Sequence, residues 1–103
     1  MKISPARTAA FDISLRIETE RAFSSVLLPM YEGTLSPADA SLCHELVLGM
    51  LRRQTYLDRF ISQLAGNKRI DVEVRIALRL ALYQLIYLDK VPPYSAINES
   101  VNL

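Results

Sequence analysis

The sequence has 103 residues, half of them hydrophobic, a mean hydropathy of +0.16 and a formal net charge of +1. This length confines residues 1–103 to a single domain with one core, burying roughly two-thirds of its unfolded surface. The near-neutral balance excludes binding driven by overall charge, and one cysteine, Cys43, excludes an internal disulfide.

From the N-terminus, "SPARTAAFDISLRIETE" opens with Ser4 as an expected N-cap and Pro5 at the first helical position. The stretch has no uninterrupted apolar run of the kind a signal peptide needs. Ala6, Ala9, Ala10, Ile13 and Ile17 mark an apolar stripe at helical spacing. "RAFSSVLLPMYEG" continues that pattern through Phe23, Val26, Leu27 and Met30, with Pro29 expected to bend or end the helix and Gly33 to stop it.

The Ser-Pro opening recurs at Ser36 and Pro37, with Asp39 in the first turn, where the helix dipole favours a carboxylate. Leu42, Leu46, Val47, Met50 and Leu51 form the next buried face. The pattern shifts phase near Arg53 to Thr55, and Tyr56, Leu57, Phe60, Ile61 and Leu64 form a new stripe, so two helices with a tight joint are expected. Gly66-Asn67 closes the second.

"IDVEVRIALRLALYQLIYL" starts with Asp71 as a cap and is apolar nearly all round, which marks a buried helix. Arg75 and Arg79 interrupt its apolar run over 74–88, which is too short to span a bilayer. A cytoplasmic protein with no membrane partner is therefore expected. A last helix is expected to begin at Pro93 or after Ser95, and the sequence reads as cutting it short at Leu103. The expected architecture is an all-α bundle of about six helices around a central buried helix over about 71–88, with its C-terminal helices truncated. High apolar content in so small a domain implies surface meant for another chain or a missing segment.

Candidate chemical groups are few. Cys43 and His44 are adjacent, so on a helix their side chains diverge by about 100°. No second Cys or His exists to complete a zinc site. A buried cysteine beside a partly exposed histidine is the expected arrangement, with no metal. Asp58, Asp71 and Glu73 lie at caps or beside arginines and suit solvated or capping roles. Three scattered glycines make no phosphate loop. Gly49, inside a helix, suits close approach of another helix.

Charge is unevenly distributed. Residues 52–79 carry seven basic and three acidic side chains, a net of +4, against −2 for residues 1–51 and −1 for 80–103. The basic set is Arg52, Arg53, Arg59, Lys68, Arg69, Arg75 and Arg79, with Tyr56 among them. Arginine grips phosphate with two donors, and tyrosine can stack on an unpaired base. The same cations also suit a solvated rim, with Arg75 and Arg79 bonding acids within the bundle.

"ARTAA" (6–10), "ELVLGMLRRQTYLDRFI" (45–61) and "LYQLIYLDKVPPYSAINESV" (82–101) together resemble the NusB-like helical domain. Within that superfamily they are most similar to the N-terminal domain of the Fmu/RsmB-type methyltransferases, which make 5-methylcytosine in small-subunit ribosomal RNA. The resemblance implies an RNA-contacting bundle that does no chemistry itself and holds no cofactor. S-adenosylmethionine and the catalytic cysteines would belong to a later domain, and this chain would be the N-terminal piece of a longer enzyme. Departures are Ala81, where the family commonly has glycine, and Tyr94, where it has histidine. A stand-alone antitermination factor would carry a more basic N-terminus than "MKISPARTAA".

The leading expectation is an accessory domain that positions ribosomal RNA for a separate catalytic domain. Arg7, Arg52 and Arg53 carry over from the resemblance, and Lys2, Tyr56 and Arg59 join them from charge and ring chemistry. The alternatives are a docking or dimerisation module using exposed apolar surface, against the catalytic domain or a second copy, and an antitermination factor. An enzyme in its own right is a further alternative, with no catalytic residue to assign.

Overall fold

The computed structural model describes residues 4–66 and 68–88. Among them are five α-helices: α1 (Pro5–Glu20), α2 (Ser24–Glu32), α3 (Pro37–Arg52), α4 (Gln54–Ala65) and α5 (Val72–Tyr87). The last helix expected from the sequence, together with Lys2, Asn67 and Tyr94, lies outside the described residues.

Both Ser-Pro openings act as local start signals. The Oγ of Ser4 accepts from the Arg7 backbone N–H at 3.4 Å, and the Oγ of Ser36 accepts from that of Asp39 at 3.2 Å. Each satisfies one of the N–H groups that a helix start leaves without a partner. Asp39 in the first turn of α3 and Arg52 in its last both complement the dipole. Asp71 occupies the N-cap position of α5 with extended backbone, but its side chain makes no capping bond. Gly66 follows α4 with φ +63°, a left-handed conformation that glycine adopts without a Cβ clash.

The end of α1 differs from the expectation. The apolar pattern runs on through Phe23, yet α1 stops at Glu20, and Arg21 turns the chain with φ 56°. Pro29 neither ends nor precedes a break; it lies inside α2. Its missing N–H cannot pair with the Ser25 carbonyl one turn back, and Ser25 is exposed, on the solvent side of α2. The turn at Arg21 swings α2 round so that Leu27 and Leu28 reach the core. The Tyr31 hydroxyl donates to the Asp12 carboxylate and so clasps α2 back onto α1.

The core is built from Ala6, Ala10 and Ile13 of α1, Cys43, Leu46 and Val47 of α3, and Leu57 and Leu80 from α4 and α5. α3 packs against all four other helices, whereas α5 packs against α1, α3 and α4. α5 inserts Ile76, Leu80, Tyr83 and Gln84 but leaves Val74, Leu85 and Ile86 exposed. The buried centre expected of α5 alone is therefore shared, and α3 is the helix that touches every other. The bundle is all-α among the described residues, and the phase shift at Arg53 is a real joint between α3 and α4.

Gly49 lies in the interior of α3. A Cβ built there would come within 2.1 Å of the Tyr83 ring. The glycine is thus the notch that lets α5 lay a buried aromatic ring directly against the α3 backbone.

Candidate nucleic-acid interface

The arginines of the sequence separate into two classes. Arg79 is 5% exposed. Its guanidinium donates to both carboxylate oxygens of Asp58, at 2.7 and 2.8 Å, and lies 3.7 Å from Glu18. This two-point pair ties α5 to α4, with α1 alongside. Arg7 is 8% exposed and donates to Gln84 Oε1 at 2.6 Å and to Ser4 Oγ at 3.1 Å. Gln84 is fully buried and donates in turn to the Leu80 carbonyl. Arg7, expected at the RNA contact, therefore lies inside the bundle and not in the set of exposed arginines. Its Nε and Nη1 donors are engaged inside the bundle, joining the start of α1 to α5.

Arg52, Arg53 and Arg59 are exposed and converge. With Thr55, Tyr56 and Tyr87 they line one open groove of ≈ 350 Å³ at the α3–α4 joint and the C-terminal end of α5. Arg52 ends α3, Arg53 is the joint itself, and Tyr56 and Arg59 lie three residues apart on the outer face of α4. Even on a straight helix Arg52, Tyr56 and Arg59 would share one face, at spacings of four and seven, with Arg53 about 100° round from Arg52; the groove brings all four together. Among the described residues, no ion pair holds Arg52, Arg53 or Arg59. Their charge is therefore not neutralised by a neighbouring carboxylate.

Aromatic rings floor and flank the groove. The Arg53 guanidinium carbon lies 4.9 Å from the centroid of the Tyr87 ring, a cation–π contact. Tyr87 packs on Tyr83 with centroids 5.2 Å apart and planes tilted by 34°. Tyr83 donates to Glu45 Oε1 at 3.2 Å. Burial first, then the Glu45 charge, pushes the Tyr83 hydroxyl above its ordinary pKa, while a hydrogen bond with Arg52 pulls the other way. Tyr56 is 48% exposed and meets Phe60 edge-on, at 5.2 Å and 71°. Half of this aromatic side chain therefore remains open to a ligand.

The other candidates fall elsewhere. Cys43 is fully buried, and burial pushes its thiol up to about 11, which leaves it neutral and unreactive at ordinary pH. His44 points outward from the next position and pairs with Glu32 at 3.0 Å. No group of three or more His, Cys, Asp or Glu side chains could hold a metal among the described residues. Lys68 and Arg69 are exposed but lie outside the groove. Tyr87 was missed as a groove residue because its place in an apolar run reads as core. The available signal was its spacing of four from Tyr83 at the end of the helix.

The sequence of this bundle, notched at Gly49 and jointed at Arg53, matches a known family model, that of the NusB family, over residues 4–103. The chain belongs to the NusB family. This NusB-family chain is 40% identical to a probable ribosomal RNA small subunit methyltransferase B of Synechocystis sp., over 95% of the chain and 23% of the relative. It is 32% identical to the protein of the same name in Bacillus subtilis, over its whole length and 24% of the relative. It is also 34% identical to the transcription antitermination protein NusB of Desulforudis audaxviator, over 85% of the chain and 64% of that protein. The NusB-family chain thus spans about a quarter of the methyltransferases it matches. No solved structure matches it. No described helix is long and apolar enough to cross a membrane.

Proposed function

We propose that this chain is an RNA-binding accessory domain that positions ribosomal RNA for a separate cytosine-5 methyltransferase domain, which would carry the S-adenosylmethionine site. One observation carries the reading. Three exposed, unneutralised arginines and a half-exposed tyrosine share one groove, while Arg7 and Arg79 are locked into the bundle. Likeness to the methyltransferases over nearly the whole chain, with only a quarter of their length covered, supports an accessory rather than a catalytic role. Arg52, Arg53 and Arg59 supply phosphate contacts, and Tyr56 offers a ring to an unpaired base.

A salt titration tests this, with a labelled hairpin from small-subunit ribosomal RNA as the probe. Replacing Arg52 and Arg53 together with glutamine is expected to flatten the plot of log affinity against log salt by about 1.4, at roughly 0.7 per lost contact on single strands. An unchanged slope would remove the groove from the reading.

A second reading, docking on another protein surface, is supported by α2. Phe23 at the N-cap position, with Val26 and Met30 on the helix, forms an exposed apolar stripe. Concentration-dependent self-association by sedimentation, with no affinity for the hairpin, would favour it over the first.

A further inference from the structure

We propose that Tyr87 is a positioning residue for the groove. Its ring holds the Arg53 guanidinium over the same opening as Arg52 and Arg59, so that the three cations are set to meet one stretch of phosphodiester together. The inference rests on reading the groove as the RNA contact, and it names how that contact is pre-organised.

The argument starts from what an exposed arginine lacks. Its long side chain has many rotamers, and gripping a phosphate freezes them. A fixed guanidinium binds better, because the ordering has already been done. Proteins commonly fix arginine with a carboxylate, as Asp58 fixes Arg79 here. That solution neutralises the charge and occupies the N–H donors, the two properties a phosphate needs. An aromatic face attracts the cation without supplying a negative charge or a strong acceptor. Arg53 is held in this second way, 4.9 Å from the Tyr87 centroid.

The ring is itself held by a chain of contacts leading into the core. Tyr87 packs against Tyr83. Tyr83 is almost wholly buried, seated in the notch at Gly49 and bonded to Glu45. The Arg53 backbone is fixed as well, because it is the single residue between α3 and α4 and its N–H donates to the Gly49 carbonyl at 3.1 Å. The ring and the Arg53 backbone are therefore both anchored to α3 near Gly49, and the ring contact sets the guanidinium between them.

The test is a double-mutant cycle on the full chain, read by fluorescence anisotropy with the same ribosomal RNA hairpin. Tyr87→Leu should weaken binding about three-fold, the scale of an exposed cation–π contact. Tyr87→Phe, which keeps the ring, should restore it. Arg53→Gln should weaken binding more and also flatten the salt slope. Arg53→Gln combined with Tyr87→Leu should bind no more weakly than Arg53→Gln alone, because the ring then has no cation to position. A ring-current shift of the Arg53 Nε–H resonance provides a readout independent of RNA. It should be present with Tyr87 and Phe and lost with Leu. Full additivity in the cycle, or a Leu variant that binds as well as the parent, would overturn the positioning role while leaving the groove standing. An Arg53→Gln variant with unchanged affinity and slope would instead overturn Arg53 as an RNA contact, and with it the reason to position it.

Discussion

The two arginines inside the bundle and the three at the α3–α4 joint share one chemistry and differ in what surrounds them. Arg79 meets Asp58 and Glu18, and Arg7 meets Gln84 and Ser4. Arg53 meets the face of Tyr87, and no carboxylate holds Arg52 or Arg59 among the described residues. The difference teaches that a count of cations overstates a binding surface. Residues 52–79 carry a net +4, yet Arg79 spends its charge on joining helices. A buried guanidinium must be satisfied by its own fold, because desolvation leaves it no alternative. An exposed one stays available to a ligand only if the fold does not neutralise it.

The sharpest way to break this contrast is Arg79→Ala. It strands Asp58 and Glu18 without their cation. Removing one member of a buried pair costs about 3–5 kcal/mol, but both carboxylates are about a third exposed and water takes up part of the loss, so about 2–3 kcal/mol is expected. Urea denaturation measures it. Hairpin affinity of the folded protein should be unchanged. A large loss of affinity with intact stability would place Arg79 in the interface and abolish the distinction between the two classes.

How much of this was legible in the residues follows the range of each signal. Ser4-Pro5 and Ser36-Pro37 act through bonds three residues away, so local sequence revealed both helix starts. The joint at Arg53 was visible as a phase shift, and the packing role of Gly49 as a costly residue inside a helix. The turn at Arg21 was not visible. Neither glycine nor proline marks it, and what favours it is the burial of Leu27 and Leu28 against distant helices. Pro29 misled because its local cost is outweighed by the burial of Leu27 and Leu28 on the same helix, which local sequence does not reveal. The burial of Arg7 was not visible because its partner Gln84 lies at the far end of the described chain. The stack of Tyr87 under Arg53 escaped for the same reason, since ring-to-cation contacts between helices leave no periodic trace. The site was therefore legible as a set of charged residues, and its division into structural and available cations was not.

Gly49→Ala probes the link between the two regions. The added methyl would stand 2.1 Å from a ring that is 3% exposed, so the ring must move. Overpacking of this kind costs about 1–3 kcal/mol. A contact this close to a buried ring belongs at the top of that range, and the better helix propensity of alanine offsets about 1 kcal/mol, so a net loss of about 2 kcal/mol is expected by thermal or chemical denaturation. Because Tyr83 supports Tyr87, hairpin affinity should fall as well, although Gly49 touches neither solvent nor groove. A destabilised variant with unaltered affinity would show that core and groove are mechanically separate.

Arg59 gives the smallest and cleanest test, since it is exposed on the outer face of α4 and is held by no ion pair among the described residues. Arg59→Gln should leave stability within about 0.5 kcal/mol of the parent. The salt slope should fall by about 0.7, one phosphate contact on a single strand. Arg59→Lys separates charge from shape. Lysine keeps the cation, so counterion release and the slope should be preserved, but it loses the planar fork and with it two-point binding of a phosphate. Lower affinity at an unchanged slope would mean that Arg59 grips a phosphate directly. Full affinity with lysine would mean that it contributes only to the local field, leaving Arg52 and the Tyr87-supported Arg53 as the direct contacts.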